Sequence, residues 1–164
     1  MKLCIWFTTL LFIMGALTGC KTNDSNPTDD QIPSVVATES WNAIMDNDSL
    51  NHGQHSFEKK SDGVITTKGT WYYAVQGTEV VCPFSEGYVV ITDTVVKYTA
   101  NGTATNTAAP AGYQTSPFTF YTQGVAKNGK AYGNYTISFS TIGWPNSIEG
   151  TFTSVRASGS GITK

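Results

Sequence analysis

From Gly63 onward, β-branched and aromatic residues alternate with polar ones in short runs, each closed by turn residues, and this pattern restricts the chain to an antiparallel β fold. In Val64–Val75 (VITTKGTWYYAV) the period of two puts Ile65, Thr67, Trp71, Tyr73 and Val75 on one side, and Gln76-Gly77 turns the chain. Glu79–Phe84 predicts a second strand, stopped by Pro83 and a turn at Ser85-Glu86-Gly87. Tyr88–Thr99 (YVVITDTVVKYT) is the longest strand signal. Its Val89, Ile91 and Val95 oppose Tyr88, Val90, Val96 and Tyr98, which predicts a central strand with two apolar faces. Further on, Thr115–Thr122 and Ala131–Thr141 alternate in the same way, with Tyr135, Ile137 and Phe139 inward, and Asn128-Gly129 is the pair that favours a type I′ hairpin. Ser147–Arg156 supplies the last run, after a turn at Trp144-Pro145-Asn146. Six to eight strands at such spacing predict a small antiparallel β-barrel or β-sandwich. The connections are too short for crossover helices, which excludes a parallel sheet.

The rest of the chain carries weaker patterns. Ala37–Met45 (ATESWNAIM) has Thr38 in an N-cap position and Trp41, Ile44 and Met45 at helical spacing, which would support a short helix after a strand through Ser34–Ala37. Asp46–Asp62 is polar and reads as a loop with one weak strand around Gln54–Lys59. Ala100–Gly112 (ANGTATNTAAPAG) is low in complexity and reads as an exposed loop. The expected organisation is a single β domain over 35–164 with its strand-rich core at 63–156. Charged residues make up 13% of the chain and Arg156 is its one arginine, so the clustered positive charge that nucleic acid requires is missing.

Ahead of this domain lies a basic start, Met1-Lys2, and an apolar run from Leu3 to Leu17, the layout of a secretory signal and too short for a comfortable membrane span. It ends in Leu17-Thr18-Gly19-Cys20, which resembles the lipobox of bacterial lipoproteins. The resemblance covers residues 1–20. It implies removal of a signal peptide at 1–19, acylation of Cys20 (the palmitate-type chains of that family), and attachment to the membrane through those chains. Two or more chains are what stable anchoring needs. It also implies a place in the bacterial cell envelope, with Lys21 after the Cys compatible with the outer membrane. Residues 20–34, rich in Asp, Asn, Thr and Pro, are expected to be a flexible tether. With Cys4 in the leader and Cys20 acylated, Cys82 has no partner within the chain and is expected to be a buried thiol.

Few residues suggest chemistry. No nucleotide-binding or nucleophile-elbow motif is present, and no cofactor is implied. His52, His55 and Glu58 are weak candidates for a metal site. Glu79, Glu86, Asp93 and Glu149 lie on or beside strands, but nothing in the sequence pairs two of them as a glycosidase requires. Aromatic rings are the stronger signal: Trp71, Tyr73, Tyr113, Tyr121 and Trp144 are candidate ligand-binding residues, since rings on a rigid scaffold grip a sugar face, an apolar molecule or a protein. Gly69-Thr70-Trp71 resembles the Gly-x-Trp that opens lipocalin and avidin barrels, and the resemblance implies a calycin-like barrel in which Arg156 stacks on Trp71. The expected function is that of a binding module for an envelope or surface partner. The alternatives are a carrier for a small apolar ligand or carbohydrate, and, less supported, a hydrolase.

Overall fold

The computed structural model describes residues 32–75 and 77–164; the leader, Cys20 and the tether to Gln31 lie outside the described residues. Eight strands follow one another: β1 (Val35–Met45), β2 (Asp48–Lys60), β3 (Ile65–Val75), β4 (Thr78–Thr92), β5 (Val95–Asn106), β6 (Thr115–Lys127), β7 (Lys130–Phe139) and β8 (Ser147–Gly159). Each pairs antiparallel with the next, and β8 pairs with β1 to close the barrel. Of the two expected architectures, the barrel is the one formed.

Alternation dictates the wall. Glu39, Trp41, Ala43 and Met45 of β1 point inward and are buried, as are Trp71 and Tyr73 of β3, Phe118 and Phe120 of β6, and Tyr135 and Ile137 of β7. Outward positions such as Thr99, Asn101, Thr119, Gln123, Asn134 and Thr151 are exposed. Ile44, Val90, Tyr121, Tyr132 and Val155 are exposed among them, so the outer face is mixed while the interior is largely apolar. Rings fill the interior, with Phe120 4.8 Å from Trp71, 5.7 Å from Tyr98 and 6.0 Å from Phe84 between centroids. Gly53 faces inward opposite Trp71, where a Cβ would run into the indole ring. The Asn128-Gly129 hairpin forms as expected, with φ of 53° and 73° at the two residues.

Five expectations about elements are corrected. Ala37–Met45 is a strand, not a helix: the inward set is Glu39, Trp41, Ala43 and Met45, and Ile44 faces out. Asp46–Asp62 is mostly β2, because Gly53, His55 and Phe57 form an inward row that a scan for apolar residues does not register. Tyr88–Thr99 is two strands joined at Asp93-Thr94, where Asp93 adopts φ 55° without a glycine; the reversal shifts the parity, so Val89 and Val96 both point in. Ser85-Glu86-Gly87 is not a turn but an irregularity inside β4, with Glu86 at φ 59° and the register to β5 shifted between Ser85 and Tyr88. Ala100–Asn106, read as loop, belongs to β5.

Up-and-down connectivity sorts the connections into two rims. The turns after β1, β3, β5 and β7 lie at one rim; those after β2, β4 and β6 lie at the other, together with the start of β1 and the end of β8.

Candidate functional site

At the rim that carries the β1 start, the chain's last residues fold back across the barrel. The Glu39 carboxylate is fully buried and accepts hydrogen bonds from Arg156 Nη1 (3.0 Å), the Ile162 and Thr163 amides (3.0 and 3.1 Å) and Thr163 Oγ1 (2.8 Å). Burial alone would raise this carboxyl; the four donors outweigh it and hold it below the ordinary carboxylate value. Lys164 pairs with Asp93 in the β4–β5 turn, and the Lys164 carbonyl accepts from the Asn128 amide, 2.9 Å away, in the β6–β7 turn. The strap 160–164 thus ties two of this rim's turns to Glu39 of β1. Arg156 also lies over a tryptophan, with Cζ 5.9 Å from the ring centroid, but the ring is that of Trp41. The expected pairing with Trp71 is therefore corrected: Trp71 sits deeper, stacked near Phe120 and His55.

The opposite rim stays open. Two loops, 107–114 after β5 and 140–146 after β7, stand up from it and are joined where Trp144 Nε1 donates to the Tyr113 carbonyl at 2.8 Å. Gly143, at φ 92°, leaves room for the Tyr113 ring beside it. Between the loops and the barrel mouth lies a cleft of about 730 Å³. Its floor is made by Tyr73, Val80, Phe139 and Ile148, which lie near the open-rim ends of β3, β4, β7 and β8. Its sides are Ala108–Pro110 and Tyr113 from one loop and Gly143–Pro145 from the other, and Thr78 and Asn106 also line it. Phe139 supports Trp144 from below, at 5.1 Å between ring centroids. No Asp, Glu, Lys, Arg or His side chain lines the cleft.

Beneath the floor a short polar chain stiffens the mouth. Tyr73 donates to the Met45 sulfur at 2.8 Å, and Tyr135 donates to Asp46 Oδ2 at 2.5 Å. Asp46 Oδ1 also accepts from the Thr151 amide at 2.8 Å, which pins the β1–β2 turn to β8. Burial pushes the Tyr73 hydroxyl well above its ordinary pKa and that of Tyr135 up to about 12, so both stay protonated. Cys82 lies nearby, fully buried as expected, its thiol pushed up to about 12 by burial and inert as a nucleophile.

Of the five candidate ring residues, the cleft brings together Tyr73, Tyr113 and Trp144. Trp71 is a core residue with no exposed surface, and Tyr121 stands on the outer wall, donating to Gln123 Oε1 at 3.1 Å. The lining residues missed in the sequence, Phe139, Ile148 and Val80, were legible as strand-terminal apolar positions. Pro110 and Pro145 were legible only as loop residues.

The metal candidates are separated by the wall. His55 points inside, against Phe57, Trp71 and Tyr98, whereas His52 stacks on Tyr72 outside at 4.8 Å and Glu58 pairs with Lys68 at 2.5 Å. Among the described residues no group of three His, Cys, Asp or Glu side chains converges as a metal site. Burial drives the His55 pKa down to about 3, so the imidazole is neutral, and its Nδ1 has no hydrogen-bond partner. Glu79, Glu86, Asp93 and Glu149 are all exposed, and none lines the cleft. No family model, curated protein or solved structure matches this chain.

Proposed function

We propose that this chain is a lipid-anchored binding domain of the bacterial cell envelope, and that its ligand sits in the cleft at the open rim. The observation that carries the reading is the cleft itself: about 730 Å³, within the range of small-molecule sites, walled by rings and held in shape by the Trp144–Tyr113 hydrogen bond. A flat protein-docking patch needs no such concavity. A catalyst would place groups that hold or move protons at the cleft surface, and the carboxylates, imidazoles and amines of the described residues lie elsewhere, which favours holding a ligand over transforming it. The barrel interior offers less, since the void beside Trp41, His55 and Tyr98 is about 20 Å³, the space of one water. The carrier reading thus moves from the inside of the barrel to its mouth.

The anchor rests on the residues of the N-terminal segment: a basic start, an apolar run and Cys20. Because β1 begins at the strapped rim, an anchor upstream joins the barrel at the rim without the cleft. Two measurements test the reading. Mass spectrometry of the N-terminal peptide from cells is expected to show acyl chains on Cys20, and Cys20→Ser to leave the protein out of the membrane fraction; an unmodified Cys20 overturns the anchor. Solvent extraction of the protein purified from envelopes is expected to release a small molecule at near one-to-one stoichiometry that is absent from Trp144→Ala. A released molecule retained equally by that variant moves the site away from the cleft.

A further inference from the structure

We infer that the cleft takes an uncharged, largely apolar molecule that offers no more than one or two hydrogen-bonding atoms, and that it does not take a saccharide. The inference rests on the reading of the cleft as the binding site and goes on to choose between the two ligand classes that rings can grip. A sugar presents a hydroxyl on nearly every carbon. A site that strips water from those hydroxyls must return hydrogen bonds to them, since each polar group buried without a partner costs roughly 1–3 kcal/mol. Sugar recognition therefore needs a ring platform and also a dense rim of amides, carboxylates and hydroxyls.

The platform is present here and the rim is not. Beyond tyrosines, the side chains with polar atoms along the cleft are Thr78, Asn106 and Trp144. Trp144 has spent its one donor on the Tyr113 carbonyl, and the Asn106 Oδ1 is engaged by the Ala108 amide at 3.1 Å, a bond that starts the 107–114 loop. Tyr73 directs its hydroxyl to the Met45 sulfur, below the floor. Among side chains, what remains for a ligand is the Asn106 Nδ2 group, the Thr78 hydroxyl and the Tyr113 hydroxyl at the half-exposed lip, beside whatever backbone groups the two loops present. That set can satisfy an ether, a carbonyl or a single hydroxyl. It cannot satisfy a hexose ring, still less an oligosaccharide.

Charge is excluded on the same ground. Neither an anion nor a cation would meet a counter-charge among the lining residues, and the ring faces would return to a cation only about 0.5–2 kcal/mol against the water it gives up. The floor of Val80, Phe139 and Ile148 and the sides of Ala108–Pro110 and Pro145 instead reward apolar surface, at about 25 cal/mol per Å² removed from water.

The test uses residues 32–164, a barrel closed by its own first and last strands, and three probes: Nile red (uncharged, planar, with one carbonyl), the anionic dye anilinonaphthalene sulfonate, and maltohexaose as a neutral saccharide. Nile red is expected to bind saturably at one site, and Ala109→Asp, which puts a charge on an exposed loop of the cleft, to weaken it at least about tenfold. Tyr132→Ala, on the outer wall, is expected to leave it unchanged. The sulfonate is expected to bind at least about tenfold more weakly, and the saccharide to give no heat of binding. Saccharide or sulfonate binding that matches or exceeds Nile red and is lost in Ala109→Asp overturns the ligand class and leaves the cleft as the site. Nile red bound equally by wild type and Ala109→Asp, or no saturable binding of any probe, overturns both the ligand class and the cleft.

Discussion

At the strapped rim a buried carboxylate, the one arginine and the chain's last residues are bound to one another, while at the open rim no Asp, Glu, Lys, Arg or His side chain lines the cleft. The strapped rim holds its geometry through charge-assisted bonds in a dry place, which are strong when complete and costly when one partner is lost. The open rim holds its geometry through ring packing, the indole hydrogen bond between its two loops and the Asp46 bridge to Tyr135 and the Thr151 amide beneath the floor, while the cleft surface itself carries no acidic or basic side chain. The contrast teaches that the buried ion-pair network sits at one end and the uncharged cleft at the other, and under the proposed reading it is the second that meets a ligand. Removing groups from each end should then have opposite signatures.

The largest effect is expected from Glu39→Leu, which strands Arg156, the Ile162 and Thr163 amides and the Thr163 hydroxyl together. It should lower stability by about 3 kcal/mol, on the order of 10 °C in melting temperature, with Nile red affinity unchanged at 20 °C. A parallel loss of affinity would mean the two rims are coupled and the contrast false. Next comes acid. His55 has a folded-state pKa of about 3 against an ordinary 6.5, so its contribution is complete above pH 6.5 and is lost as pH falls toward 3, because the unfolded chain takes up the proton first. The slope approaches 1.4 kcal/mol per pH unit well inside that window, roughly 2 kcal/mol by pH 4.5. Glu39, with its lowered pKa, adds a loss only as pH falls below its ordinary 4.5. Urea melts of His55→Phe should therefore be flat from pH 6.5 to 4.5 and fall below that; an unchanged slope would place the acid-sensitive group elsewhere.

At the open rim, Trp144→Ala should cost only about 1 kcal/mol in stability, since the ring is partly exposed, yet weaken Nile red about tenfold. A large drop in melting temperature would show that the loop latch maintains the barrel as well. The smallest effect belongs to Asp93→Asn. Its pair with Lys164 lies in solvent, so no measurable change in melting temperature is expected. A clear decrease would mean that the strap depends on this surface pair and not on Glu39.

Much of the barrel could be read from the chain, and the failures have physical causes. The stretch from Gly63 was legible because its inward row is Ile65, Thr67, Trp71 and Tyr73, large groups at a period of two. β1 was obscured by one inward carboxylate: with Glu39 counted as polar surface, Trp41, Ile44 and Met45 mimic a helical face. β2 was obscured because its inward row opens with Gly53, whose missing side chain is what admits Trp71, and His55, which is neutral only because it is buried. The hairpin at Asp93-Thr94 lacks the glycine that usually announces a positive φ. For the site, the rings Tyr73, Tyr113 and Trp144 were visible as residue types, but their convergence comes from loops that connect different strand pairs, and local sequence does not encode it.

The β8–β1 pairing has a last consequence for how this protein meets other molecules. Strand partners are already assigned all the way around the wall, so no row of free backbone amides and carbonyls is offered along a sheet edge. Recruitment of an extended peptide as an added strand is thereby closed to the barrel. So is end-to-end growth of the sheet between neighbouring copies crowded on one surface. What the barrel presents to its surroundings is therefore side chains and loops, not the generic backbone ladder that any unfolded neighbour could pair with.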